Sequence, residues 1–164
     1  MQPLAGRFFG SWPRIVTSGK FAASFLMLWF SLCMHAASAQ SMDGWEHFAR
    51  VKFTEKYFKD QNDYYLVPLL DAKIKALQGK EVLLRGHYIP MEMEKGSVML
   101  SKFPYSQCFF CGGAGPESVA EVIFKDKVPR FKPDQIITVR GTLSLNDTDV
   151  MHMNFILRNA TLAE

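Results

Sequence analysis

Cysteine is scarce in this chain. There are three, and since Cys33 ends an apolar stretch near the start, Cys108 and Cys111 are the only close pair. With no second pair, a closed zinc site of four thiolates is excluded. Carboxylates are missing from residues 1–39 altogether. Beyond that point there is no apolar run of membrane length, no repeat and no low-complexity tract. The strings that mark common catalytic sites are also missing: there is no Gly-x-Ser-x-Gly elbow, no His-Glu-x-x-His and no phosphate loop ending in Gly-Lys-Ser/Thr.

Residues 1–39 carry Arg7, Arg14 and Lys20, then the apolar run Phe21 to Cys33, then Ala37-Ser38-Ala39. This is the plan of a cleaved secretory signal peptide. The run is shorter than the roughly 20 residues a membrane span needs, so a permanent anchor is disfavoured. Leu32 before Cys33 argues against lipidation, because that position is normally small. The expected mature chain begins at Gln40, touches the membrane only transiently through its leader, and resides in the periplasm or is secreted. Residues 40–164 suffice for a single domain with a modest core.

An excess of one charge is lacking too. Three of the 19 Lys and Arg residues fall in the leader, leaving 16 against 16 Asp and Glu. A near-neutral, exported protein has neither the electrostatic footprint nor the compartment of a nucleic-acid binder.

What is present is a strand-rich pattern. Around Trp45 to Tyr57 the apolar spacing suits a helical face or a strand, and a strand pair is preferred, with Lys59 to Asp63 as its turn and Tyr64 to Val67 as its second arm. Asp71 caps a short helix carrying Ile74 and Leu77, which Gly79 ends. Glu81 to Ile89 and Ser97 to Phe103 predict a hairpin, Glu121 to Phe124 a further strand, and Gln135 to Leu145 with His152 to Leu157 the last pair. Glycines in the matching phrases Arg85-Gly86 and Arg140-Gly141 would let curved strands bend. The expected fold is mainly β (α+β): a small antiparallel barrel like the oligonucleotide/oligosaccharide-binding (OB) fold, with one or two short helices and a core at about residues 77–162. A β-sandwich is the alternative.

Specific chemistry concentrates in Cys108-Phe109-Phe110-Cys111-Gly112-Gly113-Ala114-Gly115-Pro116-Glu117. Two cysteines at this spacing can close a small disulfide, hold a metal as thiolates, or exchange electrons. For a metal, zinc or copper, His87 and His152 are the candidates to complete the site. Met91, Met93, Met99, Met151 and Met153 are soft donors that suit copper(I), although methionines at alternating strand positions more often fill a core. Phe109 and Phe110 suit a plug or a partner-binding surface. Gly112, Gly113 and Gly115, ahead of a short helix begun by Pro116 and Glu117, suit an anion-binding nest or a tight turn.

The string Leu100 to Tyr105 followed by Cys108 to Glu117, with Gly86-x-Tyr88-Ile89-Pro90 and Leu77-x-Gly79-Lys80-x-Val82 ahead of it, resembles an exported bacterial domain-of-unknown-function family found often in Bacteroidetes. More distantly, it is similar to another exported family with a Gly-Lys-x-Val and Gly-Tyr-x-Ile-Pro pattern before a cysteine loop. The resemblance spans about residues 77–143 and implies an exported home and a small β domain; no activity, cofactor or partner comes with it. The distant relatives tend to carry tyrosine in the segment that holds His87, which counts against His87 as an obligatory ligand.

Together these features suggest an exported, non-enzymatic binding module whose cysteine loop holds a metal ion or docks a periplasmic partner or small ligand. A thiol-disulfide oxidoreductase and a structural disulfide on a ligand-binding barrel are the alternatives.

Overall fold

Alternation decides the architecture. In Glu81–Ile89 the residues Val82, Leu84 and Gly86 are buried while Glu81 and Arg85 are exposed, and Ile136–Leu145 repeats this with Ile137, Val139, Gly141 and Leu143 facing in. Period-two burial of this kind gives each strand one core face. The computed structural model describes residues 42–93 and 96–163, all within the compact unit Gln40–Glu164. The expected leader lies outside the described residues, as do Glu94 and Lys95 of the expected turn.

In chain order the elements are β1 (Met42–Asp43), α1 (Gly44–Phe48), β2 (Phe53–Phe58), β3 (Asp63–Pro68), α2 (Ala72–Lys75), β4 (Glu81–Ile89), β5 (Ser97–Ser101), β6 (Val119–Phe124), β7 (Ile136–Leu145) and β8 (Phe155–Leu162). The large sheet runs β1-β4-β5-β6-β8-β7, and β7 pairs back onto β4. Five strands thus close into a small OB-like α+β barrel. The pairings are antiparallel except for β6 with β8, which is parallel, and the minor pairing of β1 with β4. β4 makes the turn from one neighbour to the next, pairing with β7 from Glu81 to His87 and with β5 from His87 to Ile89. Gly86 sits at that handover, where a side chain would run into the carbonyl of Ser101.

The barrel interior is filled by Val82, Leu84, Leu100, Val122, Val139 and Leu157, all wholly buried. Helix α1 plugs one end. Asp43 caps it by accepting from the Trp45 N–H at 3.0 Å, and Phe48 stacks on Phe155 with ring centroids 4.0 Å apart. Trp45 Nε1 donates to the Arg85 carbonyl at 3.0 Å, so its polar atom is satisfied inside the apolar seam. The ambiguous stretch from Trp45 to Tyr57 thus resolves into a helix followed by a strand.

β2 and β3 form a separate hairpin, in register from Phe53 opposite Pro68 to Phe58 opposite Asp63. α2 is capped by Asp71, whose carboxylate accepts from the N–H groups of Lys73 and Ile74. Gly79 follows at φ 75°, as an end-stopping glycine should. Among the described residues no helix is long and apolar enough to cross a membrane.

Several boundaries differ from the sequence expectation. β5 stops at Ser101, β6 begins at Val119 rather than Glu121, Pro116 opens a 3-10 turn, and the last strand, expected at His152 to Leu157, runs to Leu162 and begins only at Phe155. Asn146 explains the last of these. Its amide donates to the carbonyls of Asp149, His152 and Met153, and its carbonyl oxygen accepts from Thr148 and Asp149. The segment curls around that side chain and cannot extend.

Candidate functional site

A second apolar cluster lies on the outside of the barrel. Odd positions of β5 and β6 point outward, yet Met99, Ser101, Val119 and Glu121 are as buried as the core. The loop of residues 102–118 covers them, in three 3-10 turns: Tyr105–Gln107, Phe109–Cys111 and Pro116–Ser118. Cys108 joins the first two in extended conformation and drops into the cluster with Ile89, Met99 and Val119; Met93, Phe109 and Met153 pack around them.

The loop holds its shape through its own backbone. The Cys108 carbonyl accepts from Cys111 at 3.1 Å and from Gly113 at 3.3 Å, and the Phe109 carbonyl accepts from Gly112 at 3.0 Å. Gly112 stands at φ 74°, and at Gly113 a Cβ would lie 2.7 Å from the Gln107 carbonyl oxygen. Both glycine N–H groups are therefore spent inside the loop, and the tight-turn reading describes them better than an anion nest. The Glu117 carboxylate folds back over Gly115.

The result is a divided pair. Cys108 is wholly buried and Cys111 is exposed, with sulfurs 3.9 Å apart. A disulfide needs about 2.05 Å, so the expected bridge is not formed and both are free thiols. The Cys111 thiol is pushed up from its ordinary value of 9.0, first by loss of hydration in the loop, then by its hydrogen bond with Cys108 and by the charge of that neighbour. Each of these influences favours the thiol over the thiolate that catalytic cysteines use.

The two histidines go elsewhere. His87 Nδ1 lies 3.3 Å from the Asp134 carbonyl oxygen and 3.7 Å from its carboxylate, which also accepts from the Tyr105 N–H at 2.7 Å. Asp134 thereby ties β4 to the start of the cysteine loop. His152 Nδ1 lies 3.0 and 3.2 Å from the carboxylate oxygens of Glu121, whose side chain is 1% exposed. The Met153 N–H also donates to that carboxylate at 3.3 Å. Among the described residues no three His, Cys, Asp or Glu side chains gather as a metal cluster. The candidate ligands His87 and His152 are thus not grouped with the two thiols among the described residues: His87 lies against the Asp134 carbonyl and His152 against the Glu121 carboxylate.

A cavity of about 240 Å³ opens beside the loop, walled by Tyr64 and Tyr65 of the hairpin and by Phe109, Asp149, His152 and Met153. It brings together two of the sequence candidates, Phe109 and His152. Phe110 is 40% exposed at the surface, edge-on to Phe109 at 5.2 Å. Of the methionines, Met91 and Met151 are exposed, whereas Met99 belongs to the cluster that takes in Cys108, and Met93 and Met153 pack against it. Glu121, Asp134 and Asn146 were not singled out from sequence. Only Glu121 left a signal, as a carboxylate within the apolar run Val119 to Phe124.

No family model, no curated protein and no solved structure matches this chain.

Proposed function

We propose that the protein is an exported, non-enzymatic binding module in which Cys108 and Cys111 hold a metal ion, zinc or copper, as paired thiolates. The sulfur separation carries this reading. Two thiolates on one tetrahedral ion with metal–sulfur bonds of about 2.3 Å lie about 3.8 Å apart, and the free pair already stands at 3.9 Å. The loop's internal hydrogen bonds supply the rigidity a preformed site needs. Thiol-disulfide exchange is less well supported, because the accessible Cys111 thiol holds its proton more firmly than an ordinary cysteine. The resemblance to an exported family accords with the leader-like residues 1–39 and with a periplasmic or secreted home.

Docking of a periplasmic protein is the second reading, favoured by Phe103, Tyr105 and Phe110, which are all exposed on the same loop. Metal and thiol content of protein purified without chelator separates the two. One ion per chain, lost in Cys108→Ser, supports metal holding. Metal-free protein with two free thiols that takes up neither zinc nor copper overturns it.

A further inference from the structure

We infer that the ion is monovalent copper, bound by Cys108 and Cys111 with a thioether of Met93 or Met153 as third ligand. This rests on the metal-holding reading above and names its ion. Zinc calls for four ligands, or three and a water, drawn from thiolate, imidazole and carboxylate. The described residues offer no third member of that set beside the thiols, since His87 and His152 are engaged with Asp134 and Glu121. The cluster that takes in Cys108 does carry thioethers: Met99 is a member of it, and Met93 and Met153 pack against it. Thioethers are poor ligands for zinc and good ones for copper(I), which accepts two or three soft donors.

The setting agrees with the donors. Ile89, Val119 and Phe109 make the Cys108 side of the pair apolar, leaving only the Cys111 side open to water, and a low coordination number is favoured. Met93 and Met153 are only partly buried where they pack against the Cys108 cluster, so neither is sealed in the interior. The cavity beside the loop shares Phe109, Val119 and Met153 with this cluster, which gives an ion a way in. Binding breaks two S–H bonds and forms two copper–thiolate bonds. Both protons leave to solvent, no electron is transferred, and the copper must arrive already reduced.

The test uses the full chain, reduced and kept anaerobic, titrated with copper(I) against a chromogenic copper(I) chelator and separately with zinc against a zinc indicator. One copper(I) per chain is expected, with affinity falling roughly tenfold or more in the Met93→Leu/Met153→Leu double variant and further in Cys111→Ser. Leucine keeps the packing volume, and circular dichroism confirms that each variant is folded. X-ray absorption should count three sulfurs around copper in the native chain and two in the double variant. If copper(I) binds the double variant as tightly as the native chain, the thioether assignment is overturned. Zinc retained in preference to copper(I) overturns the choice of ion while leaving the metal-holding reading intact, and binding of neither overturns both.

Discussion

Adjacent glycines in the cysteine loop do different work, and alanine at each position separates the two roles. At Gly113 the backbone needs no unusual φ, but an added Cβ would lie 2.7, 2.8 and 2.9 Å from O, Cα and C of Gln107. Ordinary contact begins at 3.4 Å, so the neighbour must yield by about half an ångström or more. Gln107 is backbone, pinned by its N–H to the Pro104 carbonyl at 2.9 Å, and cannot rotate away as a side chain would. Overpacking of this kind costs roughly 2–3 kcal/mol. At Gly112 nothing lies within 4 Å, and the penalty is that of φ 74° alone, roughly 1 kcal/mol. Urea unfolding of both variants measures the difference, and alkylation of Cys108 reports whether the loop has been pried open. Gly113→Ala should be the less stable and should expose Cys108. Equal stability, or the reverse order, would refute the close-approach account.

Phe48→Ala removes the ring stacked on Phe155 at the barrel end and should lower stability by roughly 3–5 kcal/mol, read from thermal or urea unfolding; a loss below about 1 kcal/mol would mean α1 is not a plug. Glu121→Ala strips the enclosed carboxylate from His152 and the Met153 N–H and should cost roughly 3 kcal/mol, whereas an unchanged melting temperature would show the pair to be ornamental. With iodoacetamide and peptide mapping, Cys111 should label well before Cys108, and simultaneous labelling would contradict the enclosed position of Cys108. The raised Cys111 value means the folded protein holds that proton more firmly than the unfolded chain. Its favourable effect on stability is therefore present at neutral pH and is lost as pH rises through the raised value. The same proton competes with metal, so affinity measured by chelator competition should weaken from pH 7.5 to 6.5 by up to about a hundredfold, the limit for two released protons; a pH-independent affinity would exclude the thiols as ligands.

Much of the barrel was legible because local signals agreed with the global fold. Gly79 and Pro90 bracket β4, and the alternation of Val82 and Leu84 with Glu81 and Arg85 marks a strand with one buried face. The Asp71 cap and the hairpin turn at residues 59–62 were readable for the same reason, since each is decided within a few residues. Partner choice was not: nothing in Val119–Phe124 says that it lies parallel to Phe155–Leu162, because that pairing depends on how the whole ring closes. The site was legible in residue type alone. Sequence singles out Cys108 and Cys111 but cannot say that an extended residue between two 3-10 turns sends one inward and leaves the other in solvent. The histidines were drawn to the thiols by chemistry, whereas Asp134 and Glu121, distant in the chain, hold them in place. Met93, Met99 and Met153 meet in the cluster that takes in Cys108, a grouping that exists only because the loop folds over the outer face of the sheet.

The final barrel strand lies between β6 and β7 and pairs with both. No subset of strands without β8 completes the ring among the described residues. Closure then needs partners far apart along the chain, a topology that folds slowly. Late locking of this sort leaves the facing edges of β6 and β7 open until β8 joins them, so a chain without residues 155–162 cannot close the ring.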